Sequence, residues 1–176
     1  MRVTLHDRQF PDALAAAMAV PFGYGSETGI DFEPFPAFLS AEKTTEWFRA
    51  WTGNGDVDGD DFRMFGRDGS GGHAAFWLTR PARALADQPV VFLGSEGETG
   101  VVARDLAEFL WVLAGGYGPW EAATPYESDR VRRGTPELTA VAERFAPGGC
   151  RPAAVLIELA AKEFPTFDDI IMELCG

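Results

Sequence analysis

Ser70 lies in the glycine-rich stretch whose spacing comes nearest to that of a catalytic nucleophile. Residues Asp68-Gly69-Ser70-Gly71-Gly72 differ by one residue from the G-x-S-x-G elbow of hydrolases, because Asp68 replaces the first glycine. Such a serine needs a histidine base, and His6 and His73 are the only histidines. The residues after the glycines are typical of a strand, where the elbow requires a helix. The pattern favours a hairpin turn and leaves a hydrolase using Ser70 and His73 as an alternative.

A second stretch, residues 54–65, has the alternating oxygen-bearing side chains of a calcium loop, with Gly59 at the sixth position. An EF-hand loop ends in a bidentate glutamate, but its twelfth position here is Phe65, and the eighth, usually apolar, is Asp61. The sequence therefore favours a solvated acidic loop over a calcium site.

No other pattern predicts a metal or cofactor site. The glycines at 66, 69, 71 and 72 are not followed by the Lys-Ser or Lys-Thr pair and the helix that a phosphate-binding loop needs. Cys150 and Cys175 are far apart and have no histidine or second cysteine at ligand spacing, so we expect reduced thiols and no structural zinc. Glu96 and Glu98 lie between glycines and are typical of a polar turn. We expect no enzyme activity and no cofactor.

Composition limits the classes of partner. The chain has 176 residues, a formal net charge of -12 and 46% hydrophobic residues, which predicts one domain with a full core. Nucleic acids and anionic membranes attract clustered Lys and Arg, so this charge argues against both, whereas a basic protein partner is compatible with it. No apolar run approaches the roughly 20 residues that span a bilayer, and the N-terminus is polar. We expect a cytoplasmic protein.

The elements that position these residues are helices at both ends of the chain with strands between them. Ser40, Asp105 and Thr135 are typical helix N-caps, and Gly53 supplies a left-handed stop. Helices are predicted over 11–20, 40–52, 105–114, 135 onward, 152–163 and 168–174. Short apolar or alternating runs predict strands at 62–65, 74–78, 90–93 and 101–103, joined antiparallel because their links are short. The stretch 21–39 predicts an ordered irregular segment.

Aromatic residues are assigned mainly to the core. Trp47 and Trp51 lie one helical turn apart, on a face that we expect to be buried. Trp77 and Trp111 are also expected inside. Trp120 follows Gly118-Pro119 and is the aromatic residue predicted to be partly exposed.

Four ordered features lie between Ser40 and Trp120. They are a Trp-bearing helix ending in Gly53-Asn54-Gly55; the turn Phe65-Gly66 with Asp68-Gly69-Ser70-Gly71-Gly72 before Ala75-Phe76-Trp77-Leu78; the strand Pro89-Val90-Val91-Phe92-Leu93-Gly94 leading to Ser95-Glu96; and Val102-Ala103 before a helix with Glu108-Phe109-Leu110. In this order they resemble the SUKH superfamily, which groups fungal cell-wall-synthesis regulators with bacterial immunity proteins that neutralise toxins.

The resemblance implies an α+β fold, in which helices from both ends of the chain pack on a mostly antiparallel or mixed sheet. It also implies no cofactor and a role in binding another protein. The prediction is a single domain over 1–176. Residues 121–176 do not map onto the minimal fold of the family and are predicted as a helical C-terminal extension.

The preferred hypothesis is a non-enzymatic module that resembles bacterial immunity proteins and neutralises a cognate protein toxin, basic or nuclease-like, by binding and occluding it. The alternative is a regulatory or scaffold protein of the fungal type, without a toxin partner. Trp120 is the predicted anchor of the interface. The predicted acidic contacts around it are Asp56, Asp58, Asp60, Asp61, Asp68, Glu96 and Glu98. Oligomeric state is left open.

Overall fold

The computed structural model describes residues 8–23, 29–125 and 132–176 and has the predicted α+β fold. Its strands, in spatial and chain order, are β1 Glu33–Pro34, β2 Phe62–Arg67, β3 His73–Trp77, β4 Val90–Leu93 and β5 Thr99–Ala103. The α-helices are α1 Asp12–Met18, α2 Ala41–Thr52, α3 Leu106–Ala114, α4 Pro119–Ala123, α5 Pro136–Phe145, α6 Ala153–Glu163 and α7 Phe167–Leu174. Within these residues no helix has the length and apolar character needed to cross a membrane.

Local signals determine where the main helices begin and end. Ser40, Asp105 and Thr135 each accept a hydrogen bond from the backbone N–H three residues later, at 3.3, 2.8 and 3.4 Å. These bonds satisfy amide groups that have no partner inside the helix. Gly53 ends α2 with a φ of 68°, in the left-handed region. The predicted caps are confirmed.

The sheet is antiparallel throughout, as the short links predicted. β2 and β3 are joined by the predicted glycine hairpin. The segment 21–39 was predicted to be irregular, and its residues 24–28 lie outside the described part. The sequence did not predict β1, where Glu33 and Pro34 pair with Arg67 and Gly66 of β2. A two-residue strand containing proline has no alternating pattern, so only its long-range pairing with β2 defines it.

Both faces of the sheet are covered. The first face carries buried side chains that pack with α1, α3 and α5; those from the sheet are Phe65, Ala74, Phe76, Val90, Phe92, Val102 and Ala103. The second face packs against Phe48 of α2 and Phe167 and Ile171 of α7; its sheet residues are Phe62, Met64, Ala75, Trp77, Val91, Leu93 and Val101. Successive side chains of a strand point to opposite faces, so the near-continuous apolar runs of β3 and β4 suit a sheet buried on both sides.

The C-terminal helices border the β5 edge of this sheet. Leu156 and Ile157 of α6 pack with the first face and Ala160 with the second, so α6 lies alongside β5 and joins the two clusters. Asn54 Nδ2 donates to Leu174 O at 3.0 Å, which ties the end of α7 to the turn after α2. The segment predicted as a helical extension is helical in α4 to α7 and contributes to both cores.

The tryptophans divide into two groups. Trp77 and Trp111 are buried, as predicted. Trp47 and Trp51 stack on each other with ring centroids 4.9 Å apart and pack against the second-face core, but they remain partly exposed, so the prediction of a buried face there holds only in part. The α2 face that enters the core is formed by Thr44, Phe48 and Thr52. Positions 47 and 51 flank this line on the helix surface and therefore lie at the margin of the sheet.

Candidate functional site

Ser70 is held by Asp68 and not by a histidine. Its Oγ donates to the Asp68 carboxylate at 2.8 Å and accepts a hydrogen bond from Ser95 Oγ at 3.0 Å. In the described part of the chain no hydrogen bond joins Ser70 to His73. A serine nucleophile needs a hydrogen-bonded base that accepts its proton. Within the described residues the geometry therefore supplies no histidine base for Ser70; His6 lies outside them.

His73 is a core residue. It is 8% exposed, and its ring centroid lies 4.7 Å from that of Trp47 and 5.7 Å from that of Phe35. Its Nδ1 is buried, and no described residue forms a hydrogen bond with it. Burial lowers the pKa of His73 to about 4; the positive charge of Arg67 adds to this and the negative charge of Asp68 opposes it. The imidazole is therefore neutral at pH 7.

The prediction that Asp68 contacts a partner at an interface rim is wrong. Asp68 is 5% exposed, and its carboxylate accepts hydrogen bonds from the N–H groups of Ser70 at 3.1 Å and Gly72 at 2.8 Å, as well as from the Ser70 hydroxyl. Aspartates commonly bond to backbone groups a few residues ahead in tight turns. The carboxylate therefore faces its own turn, where these donors replace water.

The acidic loop between α2 and β2 is exposed. Asp56, Asp58, Asp60 and Asp61 are all on the surface. Asn54 Oδ1 and Asp58 Oδ1 each accept a backbone N–H two residues later at 3.0 Å, so both side chains form turns within the loop. Although Asp61 is exposed, neighbouring protein atoms partly desolvate its carboxylate and raise its pKa; the charges of Asp58 and Asp60 add to the effect while Arg63 opposes it. Contact between this loop and a partner stays a prediction.

A groove of about 1330 Å³ runs along β5, between α4 on one side and α6 and α7 on the other. We call it the β5 groove. Its lining consists of Trp51, Ser95 to Val101, Tyr117, Ala122 to Pro125, Ala154, Ile157, Glu158, Ala161, Phe164, Pro165, Phe167, Asp168, Ile171, Met172 and Cys175. This volume exceeds the roughly 300–1,000 Å³ of small-molecule pockets, so the groove suits a segment of polypeptide.

The β5 groove is apolar at its base and acidic at its rim. Its carboxylates come from Glu96, Glu98, Glu158 and Asp168, and no Lys or Arg is among the described residues that line it. Glu158 forms an ion pair with Lys162, in which Lys162 Nζ lies 2.7 Å from Glu158 Oε1. The other three form no ion pair with another described residue. Several carboxylates without a nearby cation create a negative potential that attracts a basic ligand.

Asp168 and Thr99 join the two sides of the groove. The hydroxyl of Thr99 on β5 donates to the Asp168 carboxylate in the first turn of α7. Sequence reasoning missed Asp168, because an acidic residue in the first turn of a helix usually indicates only a favourable interaction with the helix dipole.

Helix α4 forms one wall of the β5 groove, and contacts of its buried residue Glu121 hold it in place. Its Oε1 accepts the N–H of Asp31 at 3.3 Å and lies 3.6 Å from Arg132 Nη1. The guanidinium of Arg132 also lies over the ring of Tyr117, 5.6 Å from its centroid. Burial raises the pKa of Glu121, while its backbone hydrogen bonds and Arg132 oppose that rise. Tyr117 lines the groove, so these contacts position its side chain there.

Two of the eight predicted contact residues, Glu96 and Glu98, line the β5 groove. Trp120 does not: it packs against the first-face core and is partly buried. Trp51 is the tryptophan in the groove, and its Nε1 donates to Gly94 O at 2.8 Å. The sequence could not indicate this, because the contact joins residues that are 43 positions apart.

In the described residues no group of three or more His, Cys, Asp or Glu side chains is arranged to hold a metal ion. Comparison of the chain with protein-family models, curated proteins and solved structures found no match. The shape and charge of the β5 groove are therefore the features of the described residues that bear on function.

Proposed function

We propose that this protein is a non-enzymatic binding module whose β5 groove receives a basic segment of another protein. The observation that carries the proposal is the composition of the groove: an apolar base, an acidic rim and, among the described residues, no Lys or Arg in its lining. Protein interfaces combine buried apolar and aromatic anchors with a polar rim, and Trp51, Ile171 and Met172 provide such apolar surface here.

We infer further that this binding module is of the bacterial immunity type and acts in the cytoplasm against a cognate toxin. The resemblance of residues 40–120 to the SUKH superfamily supports this type, and the net charge of -12 suits a basic, nuclease-like toxin. Complementary charge mainly accelerates association and excludes wrong partners. Neutralisation then follows from occlusion, when the toxin segment in the groove is withheld from its own target.

The regulatory or scaffold alternative would use the same groove on a different partner. The two functions predict different proteins in the complex: a secreted-type or nuclease-like polypeptide in the first case, and only housekeeping proteins in the second. A toxin gene beside the gene for this protein would favour immunity.

The test is affinity purification of the tagged full-length protein from its native host, with mass spectrometry of the bound proteins at low and moderate salt. A complex steered by charge weakens as salt rises, since the Debye length falls to about 8 Å at physiological ionic strength. The test variant combines Glu96→Gln with Asp168→Asn. The control combines Glu46→Gln with Glu42→Gln; both glutamates are exposed on α2 outside the groove, and Glu42, like Asp168, is in the first turn of its helix.

We expect wild type and control to retain a basic toxin-type polypeptide and the groove variant to lose most of it. A partner that both variants retain equally would show that the groove is not the binding surface. Recovery of housekeeping proteins alone would contradict the immunity function and support the regulatory or scaffold function.

A further inference from the structure

β5 is an edge strand. In the sheet of the described residues it pairs with β4 alone, and the other side of its backbone faces the groove at Thr99, Gly100 and Val101. Unpaired strand edges are a template for pairing with another chain, and proteins usually cover or blunt them. Here α6 borders the edge, yet these three residues still line open space.

The register of the β4–β5 hairpin identifies which backbone groups face outward. Gly94 N donates to Glu98 O at 2.6 Å, which makes this a hydrogen-bonded pair. Bonded and non-bonded pairs alternate along an antiparallel ladder. The next pairs are Leu93 with Thr99, Phe92 with Gly100 and Val91 with Val101. The N–H and C=O groups of Thr99 and Val101 therefore point away from β4, and no hydrogen bond joins them to another described residue.

From this edge we propose that the partner binds the β5 groove by strand addition: an extended segment pairs with the outer edge of β5 through the backbone groups of Thr99 and Val101. This inference rests on the proposed function and specifies how the basic segment is held. Main-chain hydrogen bonds give such complexes affinity, and pockets for alternate side chains give them specificity.

The two sides of the groove define the sequence of that segment. Side chains of the added strand point alternately toward α4, where Tyr117 and Ala123 offer apolar surface, and toward α7, where Asp168 offers negative charge. Glu96 and Glu98 lie where the strand passes the β4–β5 turn. The occupant is therefore a segment of alternating apolar and basic residues. A fully apolar strand would leave the acidic rim unpaired, and an acidic one would be repelled.

The probe is an acetylated and amidated seven-residue peptide of alternating lysine and valine, compared with a helical lysine–alanine peptide of equal charge. Binding is measured by calorimetry, and amide hydrogen exchange by NMR on the full chain. We expect the alternating peptide to slow exchange at Thr99 and Val101 at least tenfold. The amide of Gly100 already faces β4 and serves as an internal reference that changes little.

Two variants at Thr99 distinguish the contribution of its backbone N–H to peptide binding from that of its side chain. Thr99→Pro removes an N–H that the β4 ladder does not use, a change that edge strands tolerate. Thr99→Val also loses the hydroxyl bond to Asp168 but keeps the N–H. We expect Thr99→Pro to weaken the alternating peptide at least tenfold relative to Thr99→Val. If Thr99→Pro does not fold, peptides N-methylated on alternate residues replace it, and only one of the two methylation registers should bind.

Equal binding by both Thr99 variants, or by both methylation registers, overturns strand addition. Stronger binding of the helical peptide without protection of Thr99 and Val101 also overturns it, while leaving the groove as a site for basic segments. If neither peptide binds, strand addition fails as well. The proposed function is judged separately by the affinity purification, so its failure and the failure of this inference are distinguishable.

Discussion

The two glycine hairpins of the sheet have the same backbone and opposite side-chain roles. In the β2–β3 turn, Asp68 N donates to Gly72 O and Gly71 has a φ of 95°. In the β4–β5 turn, Gly94 N donates to Glu98 O and Gly97 has a φ of 96°. Asp68, at the first position of its turn, is buried among three donors, whereas Glu96 and Glu98 of the second turn line the groove. Glu98 still accepts the N–H of Glu96 at 3.2 Å, but the exposed carboxylate of Glu96 accepts no hydrogen bond from another described residue. The contrast in side-chain role is therefore between Asp68 and Glu96.

The largest effect is expected where the first turn loses its internal carboxylate. Asp68→Ala leaves the N–H groups of Ser70 and Gly72 without their acceptor, and hydrogen bonds to charged groups contribute about 1.5–3 kcal/mol. We expect the free energy of unfolding to fall by about 3 kcal/mol, measured by urea denaturation. Asp68→Asn retains an acceptor oxygen and should lose less. Equal stability of Asp68→Ala and wild type would contradict the structural role.

The next effect concerns His73, which follows the first turn. Its pKa is about 4 in the folded protein and near 6.5 in the unfolded chain. Between these values the unfolded chain binds a proton that the folded protein does not bind, so this contribution to stability is lost as pH falls from about 6.5 to 4. Compared with a His73→Leu variant, wild type should lose on the order of 2 kcal/mol more between pH 7 and pH 4.5.

Urea denaturation of both proteins at several pH values measures this difference. Burial raises the pKa values of Asp61, Asp105 and Glu121, so their contributions have the opposite sign, but they are common to both proteins and cancel in the comparison. Parallel stability curves for wild type and His73→Leu would show that His73 is not a neutral core residue.

The smallest effect on stability is expected in the second turn. Glu96 is exposed at the groove, so Glu96→Gln should change the free energy of unfolding by less than about 0.5 kcal/mol. The same substitution should weaken binding of the alternating lysine–valine peptide and reduce the salt dependence of that binding. A large loss of stability would mean that the two turns do not differ as described.

Local signals were sufficient for the framework of the fold. Ser40, Asp105 and Thr135 were identifiable because a cap acts on amides within three residues of itself. The strands β2 to β5 could be predicted because each carries its own apolar run between turn residues. β1 could not, since Pro34 interrupts any pattern.

The site depends on contacts that no local pattern contains. The β5 groove combines Trp51 with residues from the β4–β5 turn and from α7, and Asp168 is recognisable only when α7 lies against β5. The burial of Asp68 likewise follows from three donors that converge in space. Sequence alone identified Glu96 and Glu98 as acidic turn residues but not the wall opposite them.

The hydrogen bond between Asn54, after α2, and Leu174, at the end of α7, can form only after the whole sheet has been synthesised. Leu174 and Asn54 are 120 residues apart in the chain, and this contact holds the end of α7, a helix that lines the groove, against the turn after α2. During synthesis, β1 to β5 leave the ribosome before α7 exists, so the sheet can form while the groove still lacks a wall. Long-range contacts also form late in folding because the connecting loop must first be closed. The nascent chain therefore forms its sheet before α6 and α7 complete the core and the groove.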